Sequence, residues 1–119
     1  MLVICYSAKA QESKETKKLQ FVYTLKLIPR LLDDKNWAQS DNEAVSAHFK
    51  QLKTYLSEGK LVMAGRTLNS DESQFGIVVL EVNSEAEART IMENDAAVKA
   101  GIMTAQLLPF YTALIRKTE

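Results

Sequence analysis

Residues 61–82 read LVMAGRTLNSDESQFGIVVLEV, two apolar runs on either side of a polar stretch. The first run, 61–64, ends at Gly65 and predicts a short, well-buried strand. The second, 75–82, is rich in isoleucine and valine, which favour strands. Because the polar connection is rich in turn-forming residues, the two strands are predicted to form an antiparallel hairpin.

A helical pattern precedes this hairpin. Ser40 to Glu43 supply a polar cap and first-turn acids, and Gly59 suits the left-handed position that closes a helix. The helix is predicted to run to about Ser57. Residues at helical spacing form its apolar face: Val45, Phe49, Leu52 and Leu56.

A second helical pattern follows the hairpin. Ser84 supplies its cap, and two glutamates lie in its first turn, at the positive end of the helix dipole. The pattern breaks at Asn94 and Asp95, and residues 96–100 predict one more turn.

The two ends of the domain are predicted to be strands. Apolar residues alternate with others from Leu19 to Leu27, which predicts a strand with one buried face that ends at Pro29. A last strand is predicted over 103–115, and Pro109 within it indicates an edge position or a bulge.

The order of these elements is β-α-β-β-α-β, which predicts an α+β, ferredoxin-like domain over residues 19–117. Two helices would cover one face of a four-stranded antiparallel sheet. The other face also carries aliphatic and aromatic side chains, so we expect a second copy of the chain to cover it in a homodimer.

Residues 1–18 are expected to be an N-terminal arm or the remnant of an export signal. Ala8 and Ala10 have the spacing of a signal-peptidase site, but the apolar run before them is shorter than the ~7–15 residues of a working signal. We therefore expect a cytoplasmic protein, with export as the alternative. Cys5, the single cysteine, lies in this stretch and is not expected to be catalytic.

Composition narrows the classes of ligand. Lysine plus arginine and aspartate plus glutamate each number 15, so the formal net charge is zero and nucleic-acid binding is not expected. No apolar stretch approaches the ~20 residues that span a membrane. One histidine and one cysteine cannot form a His/Cys metal site, and the four glycines are scattered and form no phosphate loop. We expect a small-molecule ligand, and neither a metal nor a cofactor.

The single histidine, His48, is the first candidate for chemistry. It lies beside the apolar face of the first helix, at the boundary of core and surface. It is interpreted either as a half-buried packing residue or as a general acid/base, since imidazole exchanges protons near neutral pH. A histidine in the second role usually has an orienting carboxylate, and Asp95 is the best candidate. The alternative is that Asp95 caps the short turn after it.

Four short motifs occur in a defined order: HFKQL (48–52), GKLVMAG (59–65), Asn94-Asp95 followed by Gly101, and Leu108-Pro109-Phe110. Together they resemble the YCII-related family over about residues 20–116. The resemblance implies a dimeric α+β barrel, similar in fold to the muconolactone-isomerase and antibiotic-synthesis-monooxygenase groups. It also implies that His48 and Asp95 form a catalytic pair in a cleft.

One branch of that family includes a dehydrochlorinase of hydroxylated chloroaromatics. The resemblance therefore implies elimination or isomerisation of a small cyclic or aromatic substrate, which needs only proton transfer. A ligand-binding or sensing dimer without turnover and a purely structural dimer are the alternatives.

The substrate-binding candidates are Arg66, Tyr23, Trp37 and Phe110. Arg66 would bind an anionic group, or is a solvated charge. The aromatic residues would line a pocket, or are ordinary core. The chain departs from the family at Arg66 and Ala96, where a proline is usual. Loss of the proline after Asp95 is expected to loosen the backbone that holds the carboxylate.

Overall fold

The structure, a computed structural model, describes residues 18–117 of the chain. The predicted N-terminal arm up to Lys17, including Cys5, lies outside the described residues. Four antiparallel strands form one sheet in the order β2-β3-β1-β4. They are β1 (Leu19–Leu27), β2 (Leu61–Arg66), β3 (Gly76–Val82) and β4 (Met103–Pro109). The ferredoxin-like, α+β prediction is thereby confirmed.

Helices cover one face of this sheet. They are α1 (Gln39–Ser57), α2 (Glu85–Glu93) and the single turn α3 (Ala96–Lys99), which follows the predicted break. Two short 3₁₀ helices, Pro29–Leu32 and Asp34–Asn36, connect β1 to α1. No helix within residues 18–117 is long and apolar enough to cross a membrane.

The central strand β1 carries the main core. Its side chains alternate between the two faces of the sheet, and Phe21, Tyr23 and Leu25 point toward the helices. They pack with Val78 and Leu80 of β3, and with a set of helix residues: Leu52, Ala88, Ile91 and Met92. This arrangement places Tyr23, fully buried, beneath the helical layer.

The start of α1 is held by Asp41 rather than by a side chain at the cap position. The Asp41 carboxylate accepts the backbone N–H of Ala38 at 2.8 Å and two hydrogen bonds from the guanidinium of Arg30, at 2.9 and 3.1 Å. The hydrogen bond from Arg30, and then that from Ala38, lower the pKa of Asp41. The helix that carries His48 is thus tied to the chain segment that follows β1.

Three predictions for individual elements need correction. The strand β2 is not well buried: only Leu61 of it is, because β2 lies at an edge of the sheet. The last strand ends at Pro109 instead of running to residue 115, although its predicted edge position is confirmed. On α1, Leu52 is buried, but Phe49 and Leu56 are each 57% exposed, since the sheet covers only part of the predicted apolar face.

Candidate active site

The helix α1 meets the break between α2 and α3 at one pair of side chains. Nδ1 of His48 lies 2.9 Å from Oδ1 and 2.8 Å from Oδ2 of Asp95. The two residues are 47 positions apart in sequence, so the contact depends on how the two helical segments pack. The structure therefore brings together the two residues that the sequence analysis paired.

Asp95 is buried, with 3% of its surface exposed, and it accepts hydrogen bonds from three residues. His48 is one; the others are the hydroxyl of Tyr23, 2.8 Å from Oδ2, and the backbone N–H of Ala97, 2.9 Å from Oδ1. The bond from Ala97 is the cap of α3. Both interpretations of Asp95 are thus present at once: it caps the short helix and contacts the histidine.

These donors decide the charge of Asp95. Burial disfavours the carboxylate, but the hydrogen bond and charge of His48, together with Tyr23 and Ala97, outweigh burial and lower the pKa of Asp95 below its ordinary value. Asp95 is therefore a carboxylate at neutral pH. A carboxylate only accepts hydrogen bonds, so Nδ1 of His48 carries the proton between them.

Tyr23 donates to Oδ2 of Asp95, an oxygen that His48 also contacts. Burial, followed by the negative charge of Asp95, raises the pKa of Tyr23 well above its ordinary value. The phenol therefore stays protonated and donates to the carboxylate. Tyr23 was a candidate for direct substrate contact, but it is fully buried and does not line the cavity beside His48.

A cavity of about 880 Å³ lies between α1 and the helix-facing side of the sheet. It opens at the end of the sheet where β1 finishes and β3 begins, and its walls are mostly apolar, including Leu25, Val45 and Phe75. His48 forms part of the wall, with 12% of its side chain exposed. A volume of this order is typical of sites for small organic ligands.

The second ring nitrogen of His48, Nε2, does not take part in the contact with Asp95. No group within residues 18–117 hydrogen-bonds Nε2, and no buried side-chain nitrogen or oxygen in that range lacks a partner. Nε2 is therefore accessible, on the side of the ring away from Asp95. In the neutral ring it carries a lone pair that can accept a proton from a molecule in the cavity.

Two of the remaining substrate-binding candidates reach this cavity and one does not. Arg66, at the end of β2, and Trp37 both line it. Nε1 of Trp37 donates to the carbonyl of Leu31 at 2.9 Å, which holds the indole in one orientation. Phe110 lies beyond the end of β4, where its N–H bonds to the carbonyl of Gln20, and it does not line the cavity.

The sequence analysis missed several polar residues of the site. Asn42, Ser70 and Gln74 line the cavity, and Gln51 hydrogen-bonds the backbone beside Asp95. For Gln51 a signal was available, because it lies three residues after His48 and so on the same side of the helix. Among residues 18–117 no group of three or more histidine, cysteine, aspartate or glutamate side chains could hold a metal ion.

This fold and site define a ferredoxin-like α+β domain in which a half-buried histidine contacts a buried aspartate beside a cavity. The family sequence model of the YCII-related domain matches residues 1–110. The chain therefore belongs to that family, as the four motifs predicted. No match was found among curated protein sequences.

One solved structure that the chain resembles is 5-chloro-2-hydroxyhydroquinone dehydrochlorinase from Burkholderia phenoliruptrix, in complex with 2,5-dihydroxybenzoquinone. The two chains are 22% identical, with a TM-score of 0.60. The alignment covers 78% of this chain and 94% of the other. The similarity therefore concerns the fold over almost the whole length of the dehydrochlorinase.

Proposed function

We propose that the chain is a small-molecule enzyme that uses His48 and Asp95 as an acid–base pair for elimination or isomerisation. The observation that carries this proposal is the geometry of His48. Nδ1 is bound to both oxygens of a buried carboxylate, while the ring lines a cavity large enough for an organic substrate. A histidine oriented in this way is suited to exchange a proton through Nε2.

The reaction can be written with these groups alone. Nε2 accepts a proton from a carbon of the substrate, and the resulting imidazolium is stabilised by the charge of Asp95. In an elimination, a hydroquinone would react as a keto tautomer whose adjacent ring carbons are saturated. The electron pair of the broken C–H bond forms the new double bond, and the leaving group on the neighbouring carbon departs with the electrons of its bond to carbon. In an isomerisation, the imidazolium returns the proton to a different carbon.

The solved relative supports elimination as the reaction class. Its name describes a dehydrochlorinase, an enzyme that removes hydrogen chloride, and its solved structure is a complex with 2,5-dihydroxybenzoquinone, a six-membered ring. We infer that this chain acts on a substrate of similar size, a cyclic or aromatic molecule. Trp37 would contact its ring, and the guanidinium of Arg66 would pair with an anionic oxygen. Tyr23 and Phe110, which lie outside the cavity, are not assigned a substrate contact.

A homodimer is the second part of the proposal. On the face of the sheet away from the helices, Val22 aligns with Val79 and Leu108, and Met63 aligns with Val79. Within the described chain Met63 and Leu108 are exposed. Val79 is already buried within one chain, so packing Met63 and Leu108 against the same residues of a second copy would remove these two side chains from water, as the two sheets of an α+β barrel do.

Replacement of His48 by alanine tests the catalytic proposal. The wild-type chain is assayed with 5-chloro-2-hydroxyhydroquinone and related halogenated hydroquinones, following halide release and the quinone absorbance. We expect His48→Ala to keep the wild-type circular dichroism spectrum and to lose at least about 10²-fold in turnover, the lower end of a general-base contribution. Unchanged turnover would refute the role of His48. Binding of 2,5-dihydroxybenzoquinone without turnover of any halogenated analogue would favour the ligand-binding alternative.

A further inference from the structure

Gln51 makes two hydrogen bonds that enclose Asp95. Its side-chain Oε1 accepts the backbone N–H of Ala96 at 2.8 Å, and its Nε2 donates to the backbone carbonyl of Asn94 at 2.9 Å. These two backbone groups belong to the peptide units directly before and directly after Asp95. A single amide side chain therefore holds the backbone on both sides of the aspartate.

The same helix supplies the histidine. Gln51 follows His48 by three residues, so both side chains project from one side of α1. His48 contacts the carboxylate of Asp95, and Gln51 contacts its two peptide units. A displacement of the Asn94–Ala96 backbone relative to the histidine would break both hydrogen bonds of Gln51. Gln51 does not line the cavity, so it is not placed to contact substrate.

The backbone at this point would also accept a proline. Ala96 is the first residue of α3, a position that proline favours because the N–H there has no partner within the helix. Asp95 has ψ of 128°, within the range that the residue before a proline adopts. In this chain residue 96 keeps its N–H, and Gln51 binds that N–H. The expected loosening of the backbone after Asp95 is therefore opposed by a hydrogen bond that a proline could not make.

We propose that Gln51 is a positioning residue, which holds Asp95 against His48 in the way that a proline at position 96 otherwise would. The inference rests on the proposed pairing of His48 and Asp95 in catalysis. It concerns the ground-state geometry of that pair, and it can be measured without any substrate.

The single histidine makes the geometry visible by nuclear magnetic resonance. The ¹⁵N shifts of the ring report which nitrogen carries the proton, and they are recorded at a pH where the ring is neutral. In the wild type, Asp95 holds the proton on Nδ1, whereas an unconstrained neutral imidazole favours the proton on Nε2. We expect Gln51→Met, which keeps the side-chain length but loses both hydrogen bonds, to shift the population toward Nε2–H.

Adding proline should reverse that shift. We expect the double variant Gln51→Met with Ala96→Pro to recover most of the wild-type Nδ1–H population, because the proline ring takes the place of the N–H that Gln51 binds. Gln39→Met is the matched control: Gln39 is an exposed glutamine of the same helix whose amide bonds only Glu43 within the described chain. It should leave the ring signals unchanged.

Amide hydrogen exchange shows independently whether the two backbone hydrogen bonds of Gln51 have been lost. In Gln51→Met the Ala96 amide should lose protection, while amides in the centre of β1 keep theirs and so show that the fold persists. If that protection is lost and the ring tautomer of His48 stays as in the wild type, Gln51 does not position the pair and the proposal is wrong. If the double variant fails to recover the Nδ1–H form, the equivalence with proline is wrong.

These outcomes distinguish the positioning role of Gln51 from the catalytic role proposed for His48. A tautomer shift in Gln51→Met, together with full turnover in His48→Ala, would support the positioning role of Gln51 and refute the proposed function. Loss of turnover in His48→Ala with no tautomer shift in Gln51→Met would do the reverse.

Discussion

At the scale of single residues, the hydroxyl of Tyr23 can be removed with little change in the shape of the side chain. It is the buried group that donates to Oδ2 of Asp95. Tyr23→Phe keeps the ring in the core but leaves Asp95 with one donor fewer. A hydrogen bond to a charged group contributes about 1.5–3 kcal/mol, so we expect the free energy of unfolding to fall by roughly that amount. Urea denaturation measures it. Tyr55→Phe is the control, because the hydroxyl of Tyr55 has no hydrogen-bond partner within residues 18–117, and it should change stability by less than about 0.5 kcal/mol.

The same phenol predicts a pH dependence at the alkaline end. The folded state raises the pKa of Tyr23 above its value of about 10 in the unfolded chain. Above that pH the unfolded chain releases a proton that the folded chain retains, so the contribution of Tyr23 is complete below pH 10 and is lost as pH rises. We expect the free energy of unfolding to decline more steeply between about pH 10 and 11 in the wild type than in Tyr23→Phe. Equal declines in the two proteins would contradict the raised pKa of Tyr23 in the folded state. Tyr55, whose pKa is also raised, leaves a residual slope in both proteins.

At the scale of secondary-structure elements, Asp41 connects the start of α1 to Arg30. The folded state lowers the pKa of Asp41, chiefly through the hydrogen bond from Arg30, so its stabilising contribution is present above about pH 4 and is lost as pH falls. We expect Asp41→Asn to lower the melting temperature at pH 7 and to have a smaller effect at pH 3, measured by circular dichroism. Glu43→Gln, in the same turn but exposed, should change the melting temperature little at either pH. An equal loss at both pH values would refute the role of the charge.

The elements also show what the sequence could and could not predict. Their type and order followed from periodicity and capping residues, because those signals are local. The spacing along α1 predicted one apolar face, yet of the residues on it Phe49 and Leu56 are more than half exposed. Spacing reports which side chains share a face, whereas burial depends on how far the sheet extends beneath the helix. Here the cavity takes the space under Val45 and Phe49.

In the candidate site, too, some features could be predicted from the sequence and others depend on how the elements pack. Asp95 was the best candidate for the carboxylate partner of His48, the family resemblance implied the same pair, and the structure places the two side chains in contact. The hydrogen bond from Tyr23 to Asp95 was not predicted, because alternation along β1 indicates that Tyr23 shares the buried face but not which helical residue it meets. Phe110 lies beside the start of β1, at the opposite end of that strand from the cavity, because β4 runs antiparallel to β1.

At the scale of the whole molecule, the proposed dimer makes a sharp prediction about the open face of the sheet. Leu108 lies in the apolar row with Val22 and Val79, and it is 40% exposed in the described chain. We expect the wild type to have twice the chain mass of 13.4 kDa by light scattering after size-exclusion chromatography. Leu108→Lys would bury two ammonium groups without a partner in the interface, so we expect it to have the mass of a single chain.

Leu56→Lys is the matched control, since Leu56 is the same residue type, is 57% exposed, and lies on α1 in the helical layer. It should keep the wild-type mass. The site is formed within one chain, so the Leu108→Lys monomer should also keep the His48–Asp95 contact and the Nδ1–H tautomer of the wild type. A monomeric wild type, or a Leu108→Lys variant that stays dimeric, would refute the open face as the interface. Loss of the Nδ1–H form only in the monomer would mean that the second copy of the chain supports the site.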